Sequence, residues 1–120
     1  MEKIIVVHWT KDPFFLSLSV PYDAITFDKC LCKGMYGEIY LGTFGTRQVA
    51  IKCLYPQKQK NTKETSFFLD EIVIMSSLKH PNIINFLGIS WKGQDSSNLC
   101  AMIEFLNCCG KVIIFIICES

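Results

Sequence analysis

Two oppositely charged residues, Lys52 and Glu71, fall among apolar side chains and could form an ion pair that binds phosphate. Lys52 ends the alternating run VAIK, residues 49–52, and shares a strand face with Ala50. On a helix that turns about 100° per residue, Glu71 projects at the centre of an apolar stripe. That stripe consists of Phe67, Phe68, Ile74, Met75 and Leu78.

Pairing would compensate both inward-facing charges. An unpaired buried charge is costly, so Glu71 needs a cation or a strong donor, and Lys52 is the natural candidate. A lysine held by a carboxylate is a fixed point charge suited to binding a polyphosphate. The alternative is that Glu71 reaches the rim of the helix while Lys52 caps a strand in water. The glycine-rich turn just upstream favours the pair.

That turn lies within LCKGMYGEIYLG, residues 31–42. Gly34 and Gly37 permit a sharp turn and a close approach of the backbone to a ligand. A turn of this kind can cradle phosphate, and the alternative is an ordinary β-hairpin that contains glycine.

The elements that would position these residues are short strands and one helix. Gly45 and Thr46 mark a second turn, and a helix is predicted over about residues 62–78, with Asn61 as its N-cap. His80-Pro81 ends that helix. The predicted strands are residues 25–32, 38–44, 47–54, 83–91 and 99–106. Residues 1–24 form an N-terminal extension with at most one short strand, and residues 107–120 form a divergent apolar tail.

Length and composition limit the classes of protein to which the chain can belong. The 120 residues suffice for one domain, and 50% hydrophobic residues indicate a globular chain. The 12 basic and 11 acidic residues give a net charge of +1, which argues against nucleic acid and anionic lipid as partners. Seven cysteines, with no C-x-x-C pair, suggest reduced thiols in a cytoplasmic or nuclear protein. No apolar run is long enough for a signal peptide or a membrane span.

Residues 25–106 resemble the small N-terminal lobe of a eukaryotic protein kinase. The resemblance rests on the glycine-rich turn, on VAIK, on the helix glutamate, and on the segments KHPNIINFLG, residues 79–88, and MIEFL, residues 102–106. It implies an α+β fold, in which a twisted five-stranded antiparallel sheet carries one main helix. The segments YDAITFDKCLCKGMYGEIYLG and HPNIINFLGISW are most similar in sequence to the tyrosine-kinase-like group, whose members mostly phosphorylate serine and threonine.

The resemblance implies an ATP site with a role for each matching residue. Lys52 would bind phosphate and Glu71 would hold it, as in the kinase template. Cys32 replaces the first glycine of the phosphate loop, and we expect its Cβ to weaken ATP binding without abolishing it. The remaining loop positions are Gly34, Gly37 and Ile39.

Other matching positions would surround the adenine. Ile103 would be the gatekeeper, while the Glu104 carbonyl and the Leu106 amide would offer hydrogen bonds to the base. Leu31, Ile39 and Ala50 would line the upper face of the pocket, and Met75 with Phe86 would couple the helix to the sheet. Simple core packing is the alternative explanation for these apolar positions.

The motifs that carry phosphoryl transfer in this family are not in the sequence. An H-R-D loop orients the acceptor hydroxyl and a D-F-G aspartate holds magnesium, and neither motif occurs here. Magnesium is expected with ATP, but its protein ligands are missing. We therefore expect a truncated protein kinase, inactive as written.

The second hypothesis is a non-catalytic binding or regulatory module that engages a kinase or scaffold protein. Its contact surface would be the apolar face that meets the second lobe in complete kinases. The same surface could also cause aggregation.

Overall fold

The computed structural model describes residues 9–35, 37–56, 62–77, 85–93 and 97–105. Its helices are α1, Pro13–Leu18, and α2, Thr62–Ser77, with short 3-10 turns at Trp9–Lys11 and Tyr22–Ala24. Its strands are β1, Ile25–Lys33; β2, Gly37–Phe44; β3, Arg47–Leu54; β4, Phe86–Lys92; and β5, Ser97–Glu104.

The five strands form one antiparallel sheet in the order β1-β2-β3-β5-β4. The fold class predicted from the sequence is thereby confirmed: a five-stranded antiparallel sheet with one main helix. Gly45, in the left-handed region at φ 67°, turns β2 back into β3. The strand β3 lies at the centre of the sheet, which places Lys52 between two paired neighbours, Ile39 on β2 and Ala101 on β5.

Alternation along β3 divides the core between the two faces of the sheet. On one face, Val49 and Ile51 join a cluster with Ile25, Cys100 and Met102. On the other face, Leu54 packs in a cluster that includes three buried residues of α2. These helix residues are Phe68, Leu69 and Ile72. The face that carries Lys52 is therefore the face covered by the helix.

The buried face of α2 differs from the predicted apolar stripe. Phe67 and Ile74 were expected to point inward, yet their side chains are 61% and 60% exposed. The helix instead turns Leu69 and Ile72 to the sheet, so Glu71 lies at the border of the buried face. Periodicity alone was misleading because apolar residues surround nearly the whole helix. Asn61 and Leu78 lie outside the described residues.

The N-terminal segment, residues 9–24, contains α1 and two 3-10 turns, where at most one short strand was expected over residues 1–24. Asp12 caps α1 by accepting a hydrogen bond at 2.8 Å from the backbone N–H of Phe14, and Pro13 occupies the first helical turn. Beyond α1, Ser19 forms an isolated parallel bridge with Ile89 of β4. The segment thus covers the outer edge of β4, the last strand of the sheet.

Candidate functional site

The structure brings Lys52 and Glu71 into direct contact. Lys52 Nζ donates a hydrogen bond of 2.8 Å to Glu71 Oε1. The two side chains are 13% and 26% exposed, so the pair is partly shielded from water and still reachable from a cleft. The ammonium nitrogen also lies 5.7 Å from the centre of the Phe68 ring, within the range of a cation–π interaction.

The turn between β1 and β2 is held by three contacts. The Gly34 N–H donates to the Gly37 carbonyl at 2.8 Å, which closes the hairpin. The Tyr55 hydroxyl donates to the Gly34 carbonyl at 3.1 Å. Across the strands, Lys33 Nζ lies 3.6 Å from Glu38 Oε2. These contacts fix the height of the turn above the end of β3.

Gly37 has a packing role within the sheet. A Cβ built at this position would overlap the backbone carbonyl of Cys53, on the neighbouring strand β3. The absence of a side chain is therefore required for β2 and β3 to pair here. The expected approach of Gly37 to phosphate stays a prediction.

Cys32 departs from the expectation that the thiols are reduced. Among the described residues, Cys30, Cys53 and Cys100 are free thiols. Cys32 is disulfide-bonded, and its partner is not among the described residues. The expectation of reduced thiols is therefore wrong for Cys32.

The residues predicted to surround adenine do cluster. Ile39, Ala50 and Ile103 are buried together, and Leu31 and Cys32 pack against them. Met75 and Phe86 touch this cluster as well as the one beneath α2, so they join the helix to the sheet. The Glu104 N–H donates to the Asn85 carbonyl at 2.9 Å. Leu106, the other predicted hinge residue, lies outside the described residues.

A cavity of about 240 Å³ opens beside the ion pair. It is lined by Lys52, Glu71 and Gly37, but by none of the adenine-side residues that the structure describes. Its remaining lining, which sequence reasoning missed, is Cys53, Leu54, Glu64, Phe67 and Phe68. The helical spacing could have indicated three of these residues. Glu64, Phe67 and Phe68 precede Glu71 by seven, four and three residues, which places all four side chains on one face of the helix.

The described residues do not fit a magnesium site. None of them forms a group of three or more histidine, cysteine, aspartate or glutamate side chains able to hold a metal ion. Within the same part of the chain, no helix has both the length and the apolar character needed to cross a membrane.

The amino-acid sequence matches the model of a known protein family. The family model for the protein tyrosine and serine/threonine kinase matches residues 25–116, more than half of the chain. The chain therefore belongs to the protein kinase family, and its described residues from 25 onward correspond to the N-terminal lobe. The match extends past residue 106, where the sequence resemblance had been expected to stop.

Individual relatives are protein kinases of plants and amoebae. The chain is 34% identical over 82 residues to the serine/threonine-protein kinase STY17 of Arabidopsis thaliana, covering 68% of this chain and 14% of that protein. It is 30% identical over 87 residues to the dual specificity protein kinase splA of Dictyostelium discoideum, covering 72% of this chain and 4% of the relative. The chain thus spans only a small fraction of the length of these relatives.

Proposed function

We propose that the chain forms the upper half of an ATP site, in which Lys52 binds the phosphates and Glu71 holds Lys52 in place. The observation that carries the proposal is the 2.8 Å contact between the two side chains beside an open cavity. An ammonium group has three donors, so the hydrogen bond to Glu71 leaves others for phosphate oxygens. The carboxylate also restricts the long lysine side chain, which lowers the entropy lost on binding.

The apolar cluster next to the pair suits a nucleobase. Ile39, Ala50 and Ile103 form a buried cluster without charge, at 3%, 0% and 7% exposure, so a base would first contact the half-buried Leu31 and Cys32 that pack against it. Apolar side chains of this kind favour a planar ring that leaves water. The base would lie on the cluster while the phosphates extend toward Lys52.

We propose that ATP binds weakly. Among the described residues that line the cavity there are one cation, Lys52, and two carboxylates, Glu64 and Glu71, so their charge disfavours a polyphosphate. Cys32, in place of a glycine, puts a side chain against the apolar cluster proposed for the base. The described residues include no group of three or more histidine, cysteine, aspartate or glutamate side chains to hold the magnesium that accompanies ATP.

We propose that phosphoryl transfer belongs to larger proteins that contain this lobe. STY17 and STY46 of Arabidopsis thaliana are named serine/threonine-protein kinases, which supports serine and threonine as acceptors. The sequence has neither an H-R-D nor a D-F-G motif. This chain alone would then hold ATP without transferring its γ-phosphate.

ATP titration followed by thermal shift tests the nucleotide site. Lys52→Ala should weaken ATP binding by at least about tenfold, the value of a charge-assisted hydrogen bond. Lys29→Ala is the control, since it removes the same side chain from an exposed position on β1. Equal affinity in the parent chain and in Lys52→Ala would overturn the proposal.

As a second candidate function, we propose self-association of the chain through α2. Phe67 and Ile74 are 61% and 60% exposed, and their spacing of seven residues places them on one face of the helix. If that face drives association, sedimentation velocity should show self-association of the chain that Phe67→Lys abolishes. A chain that stays monomeric at all concentrations would remove this candidate.

A further inference from the structure

We propose that the N-terminal segment, residues 9–24, positions the ATP site by holding α2 against the sheet. Phe15 is its main anchor, and Phe15 acts on Lys52 through α2 and Glu71. Two measurements test this inference, and one of them, ATP affinity, depends on the proposed ATP site. It concerns a part of the chain that precedes the family match, which begins at residue 25.

The segment is fixed to the edge of β4 by backbone and side-chain bonds. The Val20 N–H donates to the Ile89 carbonyl at 2.8 Å. In return, the fully buried Ser90 hydroxyl donates to the Val20 carbonyl at 2.9 Å. Gly88 completes the fit, because a Cβ there would lie 2.7 Å from the Leu18 carbonyl oxygen. These contacts determine where α1 enters the core.

Phe15 carries the segment into the same buried cluster as α2. Its side chain is 8% exposed, although neighbouring Phe14 and Leu16 are 42% and 47% exposed. The cluster contains Leu69 and Ile72 of the helix. Phe15 is also braced at its edge by Trp9, which stands in a T-shaped contact with Trp91 of β4 at 4.9 Å. The segment and α2 thus contribute side chains to one buried cluster on the same face of the sheet.

The cluster leads directly to the ATP site. Phe68 belongs to it, and the Phe68 ring lies 5.7 Å from Lys52 Nζ. Met75 and Phe86 pack against it and also against the adenine-side cluster. Protein interiors are close-packed, so loss of a large side chain from the cluster displaces its neighbours. The most movable neighbour is α2, since the strands are fixed by their pairing.

Two measurements on Phe15→Ala test the inference, with Phe14→Ala as the control that removes the same atoms from the exposed side of α1. The first is backbone hydrogen exchange, which needs no nucleotide. We expect α2 amides to exchange at least about tenfold faster in Phe15→Ala, while amides of β2 and β3 keep their protection. Equal acceleration in helix and strands, or none, would overturn the inference.

The second measurement is ATP affinity in a double-mutant cycle. Phe15→Ala should weaken ATP binding by about fivefold, a typical coupling between two sites. The loss should vanish in a Glu71→Ala background, because Phe15 acts through that carboxylate. An equal loss in both backgrounds would contradict the inference.

The two proposals fail in different ways. If the parent chain binds no ATP, the proposed function is wrong, and the exchange data alone decide the role of the segment. If ATP binds and Glu71→Ala weakens it but Phe15→Ala does not, only the role of the segment is wrong. If Phe15→Ala does not fold, both measurements are made on Phe15→Leu. This variant should show the same selective acceleration of α2 exchange and the same loss of ATP affinity, each of smaller magnitude.

Discussion

Lys52 Nζ and Glu71 Oε1 lie 2.8 Å apart although the residues are 19 positions apart in the chain. The contact joins the central strand β3 to the one long helix. Each residue alone would be an unfavourable charge near a core, and together they form a partly shielded pair. The pair thus depends on the helix position as much as on the two side chains.

Gly37→Ala should destabilise the β2–β3 pairing by about 3 kcal/mol, because the new methyl group would overlap the Cys53 carbonyl. Gly45→Ala is the comparison. It faces open space and should cost about 1 kcal/mol from its positive φ alone. Urea unfolding gives both free energies, and a larger cost for Gly45→Ala would refute this assignment.

Tyr40 should lose its proton only at strongly alkaline pH. Its hydroxyl donates a hydrogen bond to Glu38 Oε1 at 2.7 Å. This bond is the larger cause, and burial the second, of a rise in the pKa of Tyr40 from 10.0 to about 12. The folded state therefore keeps a proton that the unfolded chain releases. The stabilisation is complete below pH 10.0 and is lost as the pH rises through about 12.

Tyrosinate absorbance checks this directly. The difference in tyrosinate absorbance between the parent chain and Tyr40→Phe should titrate near pH 12. The difference in unfolding free energy between the two chains should shrink over the same pH range. A difference spectrum that titrates near 10 would show that the bond to Glu38 is absent in solution.

The strands and the ion pair were predictable from the sequence because their signals are local. Alternation in VAIK places Lys52 on one face, and glycines at 34, 37 and 45 punctuate the hairpins. The helix was predicted over about residues 62–78 and is observed as Thr62–Ser77. The pair was predicted because an inward carboxylate requires a cation, and it forms although Glu71 lies at the border of the buried face and not at its centre.

The N-terminal segment and the orientation of α2 were not predictable in the same way. Ser90 is 70 positions from its acceptor Val20, so no local pattern near α1 indicates the edge that it covers. In α2, Phe67 is as apolar as Phe68, yet only Phe68 is buried. Where apolar residues occur on several sides of a helix, the tertiary contact determines which side is buried.

Ser90→Ala should destabilise the chain by about 1–3 kcal/mol, since it leaves the Val20 carbonyl without its buried donor. Ser17→Ala, on the exposed side of α1, should change stability by less than about 0.5 kcal/mol. Limited proteolysis should also cut residues 9–24 sooner in Ser90→Ala. Equal stability of the two variants would argue that the bond contributes nothing.

Cys53 should react slowly with iodoacetamide at neutral pH. A hydrogen bond with Cys100, its cross-strand partner, and burial raise the pKa of the Cys53 thiol, so little of the reactive thiolate forms. Cys30 is exposed and should be alkylated first. Mass spectrometry of the labelled chain gives the order, which should disappear in urea. Labelling of Cys53 as fast as Cys30 would contradict the buried thiol pair.

The most direct test of the ATP site is a double-mutant cycle on Lys52 and Glu71, read as ATP affinity. Lys52→Ala and Glu71→Ala should each weaken binding, and the double variant should be no weaker than Lys52→Ala, because Glu71 favours binding only through the lysine that it holds. Unchanged affinity in Lys52→Ala, or losses that add in the double variant, would contradict a phosphate-binding lysine held by this carboxylate.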